Sequence, residues 1–307
     1  MIVAIGLLAF GFWHIFLSDT DEEPGQERDT YVTQTPESTP ESTPESTPEL
    51  TPEPTPAPAT TDLPDYIDIQ GERFSTSLTE LDLRDRDLQS GEIAPLRYMI
   101  NLTYLDLFGN RLNDVYVLSY LTNLTSLDLA LNFDISDLTP LANLTNLEVL
   151  RLCLNQFESI APLANLTNLE FLRLGFNRIS DISPLANLTN LEELDLVGNQ
   201  FSDISPLANL TNLERLDLCH NYISDISAIA NLTNLTHFWA NSNQIVDISA
   251  LANLTQLNSL WIGENQISDI SPLANLSDDM FISISLYNNP VTDWSPVDHL
   301  TSVVGRP

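Results

Sequence analysis

Residues 184–205 (PLANLTNLEELDLVGNQFSDIS) and 206–227 (PLANLTNLERLDLCHNYISDIS) are near copies, and the same 22-residue phrase runs through most of the chain. Aligned on the Asn of L-x-L-x-x-N, the copies fall at Asn110, Asn132, Asn155, Asn177, Asn199, Asn221, Asn243, Asn265 and Asn289, with Arg86 in a degenerate first copy. Most intervals are 22 residues; the one ending at Asn155 is 23, and those ending at Asn110 and Asn289 are 24. A segment this short cannot enclose a core by itself, whereas stacked copies bury one continuous apolar interior. About ten repeats stacked side by side are therefore expected.

Within one copy the letters divide by role. In Leu191-Glu192-Glu193-Leu194-Asp195-Leu196, alternation from Glu193 onward predicts a short strand, with Leu194 and Leu196 inward and Glu193, Asp195 and Val197 outward. Asn199 closes the strand, where its amide can satisfy backbone groups of its own and the neighbouring copy. Ser205-Pro206 reads as the N-cap and first position of a short helix or 3-10 turn, with Leu207 and Leu210 facing the core. The same pair recurs at Ser183-Pro184 and Ser271-Pro272.

The period and the pattern L-x-x-L-x-L-x-x-N are those of leucine-rich repeats. The phrases NQISDISPLANLSD and NRISDISPLANLTNLEELDL resemble the repeats of the internalins, bacterial surface proteins, over roughly residues 78–298. That resemblance implies an α/β fold, a right-handed leucine-rich-repeat solenoid with a parallel β-sheet on its concave face, where family members bind protein ligands. Residues 63–77 are short for the family's helical cap, and neither an immunoglobulin-like module nor an LPxTG-like sorting signal follows the repeats. The repeats are also similar to those of intracellular leucine-rich regulatory subunits of protein phosphatases.

Function is expected where the letters vary. The middle outward column, four residues before each Asn, runs Asp82, Asp106, Asp128, Arg151, Arg173, Asp195, Asp217, Trp239, Trp261, Ser285. Parallel strands lie ~4.8 Å apart, so neighbours in this column touch. Arg151 and Arg173 repel each other unless Asp128 and Asp195 beside them compensate. The set reads either as an ion ladder closed on itself or as a contact for an acidic ligand. Trp239 and Trp261, with His237 and Tyr287, form an outward aromatic patch of the kind enriched at interfaces. It serves either binding or shielding of the C-terminal edge. Val149, Phe171, Tyr104 and Phe108 form a second, weaker cluster, and Arg215 stands on the same face.

Catalytic, metal and cofactor roles find little footing. Cys153 and Cys219 occupy equivalent positions three copies apart, ~14 Å, beyond the reach of a disulfide, and read as free thiols. Cys219 and His237 are ~13 Å apart along the strand direction, too far for one zinc. The row Asp181, Asp203, Asp225, Asp247, Asp269 reads as turn capping rather than calcium binding, and the ten Asn-x-Ser/Thr sequons, Asn187-Leu188-Thr189 among them, as repeat letters at packed turns rather than glycosylation sites. With 43 acidic residues against eleven arginines and no lysine, a formal charge of −32 repels nucleic acid and offers no lysine for Schiff-base or P-loop chemistry.

Two segments precede the repeats. Residues 1–17, MIVAIGLLAFGFWHIFL, carry no charge and as a helix would span ~25 Å, the short end of a membrane crossing. Without a visible basic n-region or A-x-A-like site, they read as an uncleaved anchor; cleavage would leave a secreted protein. Residues 18–62, with TPESTPESTPESTPELTPEPTPAPATT, read as a disordered, extended stalk. The expected whole is a monomeric, non-enzymatic protein-binding module of residues 63–307, held to a membrane and displayed outside the cytoplasm. A carbohydrate-binding surface module using both tryptophans and an intracellular phosphatase-regulator-like scaffold are the alternatives.

Overall fold

The computed structural model describes residues 63–277 and 283–306. The expected anchor and stalk, residues 1–62, lie outside the described residues, and no described helix is long and apolar enough to cross a membrane.

Thirteen strands are present among the described residues. β1 (Tyr66–Ile69) and β2 (Glu72–Ser75) form an antiparallel hairpin. An eleven-stranded parallel sheet follows: β3 (Glu80–Asp82), β4 (Tyr104–Asp106), β5 (Ser126–Asp128), β6 (Val149–Arg151), β7 (Phe171–Arg173), β8 (Glu193–Asp195), β9 (Arg215–Asp217), β10 (His237–Trp239), β11 (Ser259–Trp261), β12 (Ser283–Ser285) and β13 (Val303–Val304). Sheet order follows chain order throughout. Each coil returns from its strand through a 3-10 turn such as Ser183–Asn187 or Ser205–Asn209, so that turns stack on turns as strands stack on strands. The solenoid expected from the repeat is thus present, with β13 adding a strand beyond the ten copies.

The core is one continuous stack. In a single coil Leu172, Leu174, Ile179, Ile182, Leu185, Leu188 and Leu191 are all buried, and the same positions are buried in the coils on either side. The hairpin closes the N-terminal end with Ile67 and Ile69 against this stack. Its turn, Gln70-Gly71, has positive φ at both residues (53° and 80°), the twist that a two-residue hairpin loop requires.

The Asn ladder acts as expected. Asn199 Nδ2 donates to Leu196 O at 3.0 Å in its own coil and to Leu174 O at 3.1 Å in the coil before, while its Oδ1 accepts the Ile179 N–H at 3.0 Å. The Asp row caps the turns as read, and two details depart from the sequence reading: the Ser N-cap and the packed sequon Asn. The side chain that caps each turn is Asp, not Ser: Ser205 lies inside its turn, and its N–H is taken by Asp203 Oδ1 at 2.8 Å, as Ser183, Ser227, Ser249 and Ser271 are by Asp181, Asp225, Asp247 and Asp269. These turns are too short for a hydroxyl at their first residue to reach back over them. The sequon Asn187 is exposed, not packed; the next Asn of the phrase, Asn190, makes the bond, donating to Thr167 O of the preceding coil at 2.9 Å.

Candidate functional site

Each strand pairs three residues in register with the next, two of them on the sheet's outer face. Phe171 pairs with Glu193, Leu172 with Leu194 and Arg173 with Asp195, and the pattern continues strand to strand. The strand period alone places Leu172 inside and Phe171 and Arg173 outside. Outward does not mean solvent-exposed, however. Asp106, Asp195 and Asp217 are buried, as are Val197 and Cys219, because side chains on neighbouring strands close over one another. Among ion pairs, burial of the carboxylates has a cost that the backbone partly offsets: Asp195 Oδ1 accepts Val197 N–H and Asp217 Oδ1 accepts Cys219 N–H, at 3.0 and 2.9 Å. Burial nevertheless pushes Asp128 and Asp195 up to about 6, and Asp217, facing Asp195 in register, to about 7.

Three zones can be distinguished. At β3 and β4 the groups satisfy one another: Arg84 reaches Asp82 and Asp106 at 3.0 and 2.7 Å, and Tyr104 donates its OH to Asp106 at 3.3 Å. Tyr104 is therefore committed to that network, and Phe108 beside it is half-buried.

In the second zone Arg151 and Arg173 are registered neighbours. Their expected compensation by Asp128 and Asp195 is corrected in part. Arg173 donates through Nε and Nη2 to Glu193 Oε1, at 2.9 and 2.8 Å, and Arg215 Nη1 approaches Glu193 Oε2 at 3.9 Å. Glu193 reaches both because it stands on β8 between their strands. Arg151, by contrast, has no carboxylate within ion-pair distance among the described residues. Beside it Phe171 is 37% exposed, and so is Phe176, which the sequence reading passed over. Phe176 holds φ at 56° and Leu154 at 58°, in the left-handed region that costs a residue with a Cβ ~1–2 kcal/mol. Gly109 and Gly198 fill the equivalent place without that cost. An aromatic side chain at a left-handed turn position that most copies fill with Gly or a polar residue was the signal in the sequence.

The third zone is aromatic. Trp239 and Trp261 are registered, with ring centroids 5.8 Å apart and planes tilted by 44°, and His237 meets Trp239 edge-on at 5.6 Å. Trp239 Nε1 donates to Ser259 Oγ at 2.8 Å, which fixes the indole, and the rings are half-buried rather than freely exposed. Tyr287, on the next strand's outer column, lies over Gly263, where a Cβ would come within 2.3 Å of its ring. Burial and the nearby Glu264 carboxylate push its phenol up to about 12. Cys153 and Cys219 are free thiols, and burial raises both well above the ordinary range. Among the described residues no three His, Cys, Asp or Glu side chains are grouped to hold a metal ion.

The leucine-rich-repeat family model, in units of two copies, matches residues 100–143, 145–187, 189–231 and 233–275. Among solved structures, internalin InlF from Listeria monocytogenes is similar at 31% identity, with 76% of this chain and 89% of that one covered and a TM-score of 0.53. Internalin C2 of the same organism is similar at 37% identity, over 60% of this chain and 80% of that one, with a TM-score of 0.57. The PEPR1–AtPEP1 complex is similar at 26% identity, over 67% of this chain and 32% of that one, with a TM-score of 0.57. No curated protein sequence is significantly similar to the chain. The chain belongs to the internalin-like leucine-rich-repeat proteins. A fold of this family implies a protein-binding or recognition module.

Proposed function

We propose that the chain is a non-enzymatic recognition module that binds a protein ligand on the outer, concave face of its sheet, between β6 and β12. The observation that carries this reading is the Trp239–Trp261–His237 cluster, with Trp239 held by Ser259. Aromatic anchors fixed before binding lose little freedom on association and dominate interface energetics. Arg151 and the exposed Phe171 and Phe176 supply a second contact point for a ligand carrying an acidic and an apolar group. Arg173 and Arg215, both turned to Glu193, act as rim charges, and His237 and Tyr287 flank the anchors; Tyr104 and Phe108 lie at the far margin. The ligand-bearing complex of a similar solenoid, PEPR1 with AtPEP1, supports this use of the fold.

Display is part of the proposal: residues 1–17 anchor a monomer whose repeats stand outside the cytoplasm on the stalk of residues 18–62. Protease shaving of intact cells should remove the repeats while residues 1–17 stay with the membrane; repeats protected in the cytoplasm would contradict it. For the binding face, pull-down with the full chain as bait is compared with a Trp239→Ala/Trp261→Ala variant. Loss of a specific ligand by at least tenfold, with unchanged thermal stability, is the expected result. Retained capture by a destabilised variant would make the tryptophans an edge seal and the reading wrong.

A further inference from the structure

The face formed by the 3-10 turns is monotonous except at its two ends, and the larger departure is at its start. Its phrase Ser-Pro-Leu-Ala-Asn is kept at Ser183–Asn187, Ser205–Asn209 and Ser271–Asn275, with the two outward small residues and the Asn presented to solvent. In the first two coils the phrase becomes Ala94-Pro95-Leu96-Arg97-Tyr98 and Tyr116-Val117-Leu118-Ser119-Tyr120. The core letters Leu96 and Leu118 stay buried, so packing does not call for the change. Four outward positions that elsewhere hold Ser, Ala or Asn hold Tyr116, Arg97, Tyr98 and Tyr120, and Tyr116 is 40% exposed.

Of these, Arg97, Tyr116 and Tyr120 line a groove of about 210 Å³ together with Ser90, Ala94, Asp114 and Val117. Tyr116 and Tyr120 meet edge to face at 6.0 Å, leaving ring surface toward the groove. The Arg97 guanidinium lies 4.8 Å from the Tyr98 ring centre and donates to its OH at 2.8 Å; among the described residues no carboxylate pairs with it. Asp114 spends Oδ1 on the Tyr116 N–H at 2.7 Å and has a second oxygen remaining. Ser90 is already engaged, donating to Asn113 and accepting the Asn113 and Asp114 N–H groups.

The groove thus sets a fixed cationic donor and an anionic acceptor around an aromatic wall. Asp114 and the −32 charge of the chain work against an anionic ligand, and Arg97 against a cationic one. A ring that both donates and accepts through hydroxyls, with apolar C–H faces to lay on tyrosine, satisfies every group. At about 210 Å³ the space falls below the ~300 Å³ of ordinary small-molecule sites, and so takes one unit of a longer chain. We propose that the groove between the first two turns binds one unit of a neutral saccharide chain, on the opposite side of the solenoid from the protein-binding face.

The test uses the full chain on an array of neutral and acidic glycans, followed by calorimetric titration with soluble cello-, malto- and chito-oligosaccharides. The comparison variant restores the repeat's own letters, Arg97→Ala/Tyr116→Ser/Tyr120→Asn, so that folding is kept. The expected result is binding of a neutral oligosaccharide that weakens at least tenfold in this variant, while Trp239→Ala/Trp261→Ala leaves it unchanged. The proposal is overturned if no neutral glycan binds, if acidic glycans are preferred, or if the restored variant binds as well as the parent. Protein capture by the sheet face should survive in the restored variant, which keeps the two sites separable.

Discussion

Asp217 has a second carboxylate, Asp195, on one side of its column and Trp239 on the other, and both carboxylates are buried. Their folded-state pKa values, about 6 and about 7, stand above the ordinary carboxylate value, as does that of Asp128 at about 6. Between pH 4 and 7 the folded chain therefore binds more protons than the unfolded one, and stability falls as pH rises through this window. The exposed caps have the opposite sign: N–H groups of Ser183, Ser205, Ser227 and Ser271 hold Asp181, Asp203, Asp225 and Asp269 low, so their contribution is present at neutral pH and lost in acid below about pH 4. Thermal melts should thus show a maximum near pH 4 and a lower Tm at pH 8. Asp217→Asn, which keeps the acceptor for Cys219 N–H, should raise Tm at pH 8 by about 2–4 °C, for ~1 kcal/mol in a domain of this size. An unchanged Tm would place Asp217 in water. The identity of this column was legible in the sequence from the Asn alignment alone. Its burial was not, because alternation says which way a side chain points and nothing of how neighbours ~4.8 Å away cover it.

At the scale of one coil, the Asn ladder has unequal rungs. Asn199 makes bonds with both ends of its amide, whereas Asn221 uses Nδ2 only and its buried Oδ1 has no partner. Asn199→Ala leaves the Ile179 N–H unpaired, while Leu174 O and Leu196 O keep Asn177 and Asn221 as donors, and should cost about 2 kcal/mol; Asn221→Ala should cost about 1 kcal/mol less. Chemical denaturation of the two variants measures the difference, and equal losses would show that the Oδ1 bond contributes nothing. For the turns, Asp203→Ala should lower Tm and Ser205→Ala should not, the reverse of what a Ser N-cap would give. The strand, the Asn and the turn were all legible from spacing, since each repeats. The Asp row was legible as turn capping, but Ser was given a cap as well, because Asp and Ser recur together and the sequence alone cannot say which oxygen reaches the N–H. The terminal hairpin was missed because it occurs once, although Tyr66-Ile67-Asp68-Ile69 alternates and Gln-Gly follows it.

For the whole molecule, each coil is covered only by its neighbours, so a chain cut after Asn199 exposes a full cross-section of leucine and should aggregate, while the complete repeat array unfolds cooperatively. A soluble, fully stable half would refute a shared core. The one-to-one parallel register has a further consequence. The arginine zone on β7 and the indole of Trp239 on β10 are separated by three strand steps, ~14 Å, and that separation can change only in whole steps of one coil. The solenoid is therefore a ruler marked in units of one duplication. Copying a single 22-residue phrase between Asn199 and Asn221 should leave the fold intact yet move two halves of a binding epitope apart by ~4.8 Å, uncoupling recognition from stability in one genetic event.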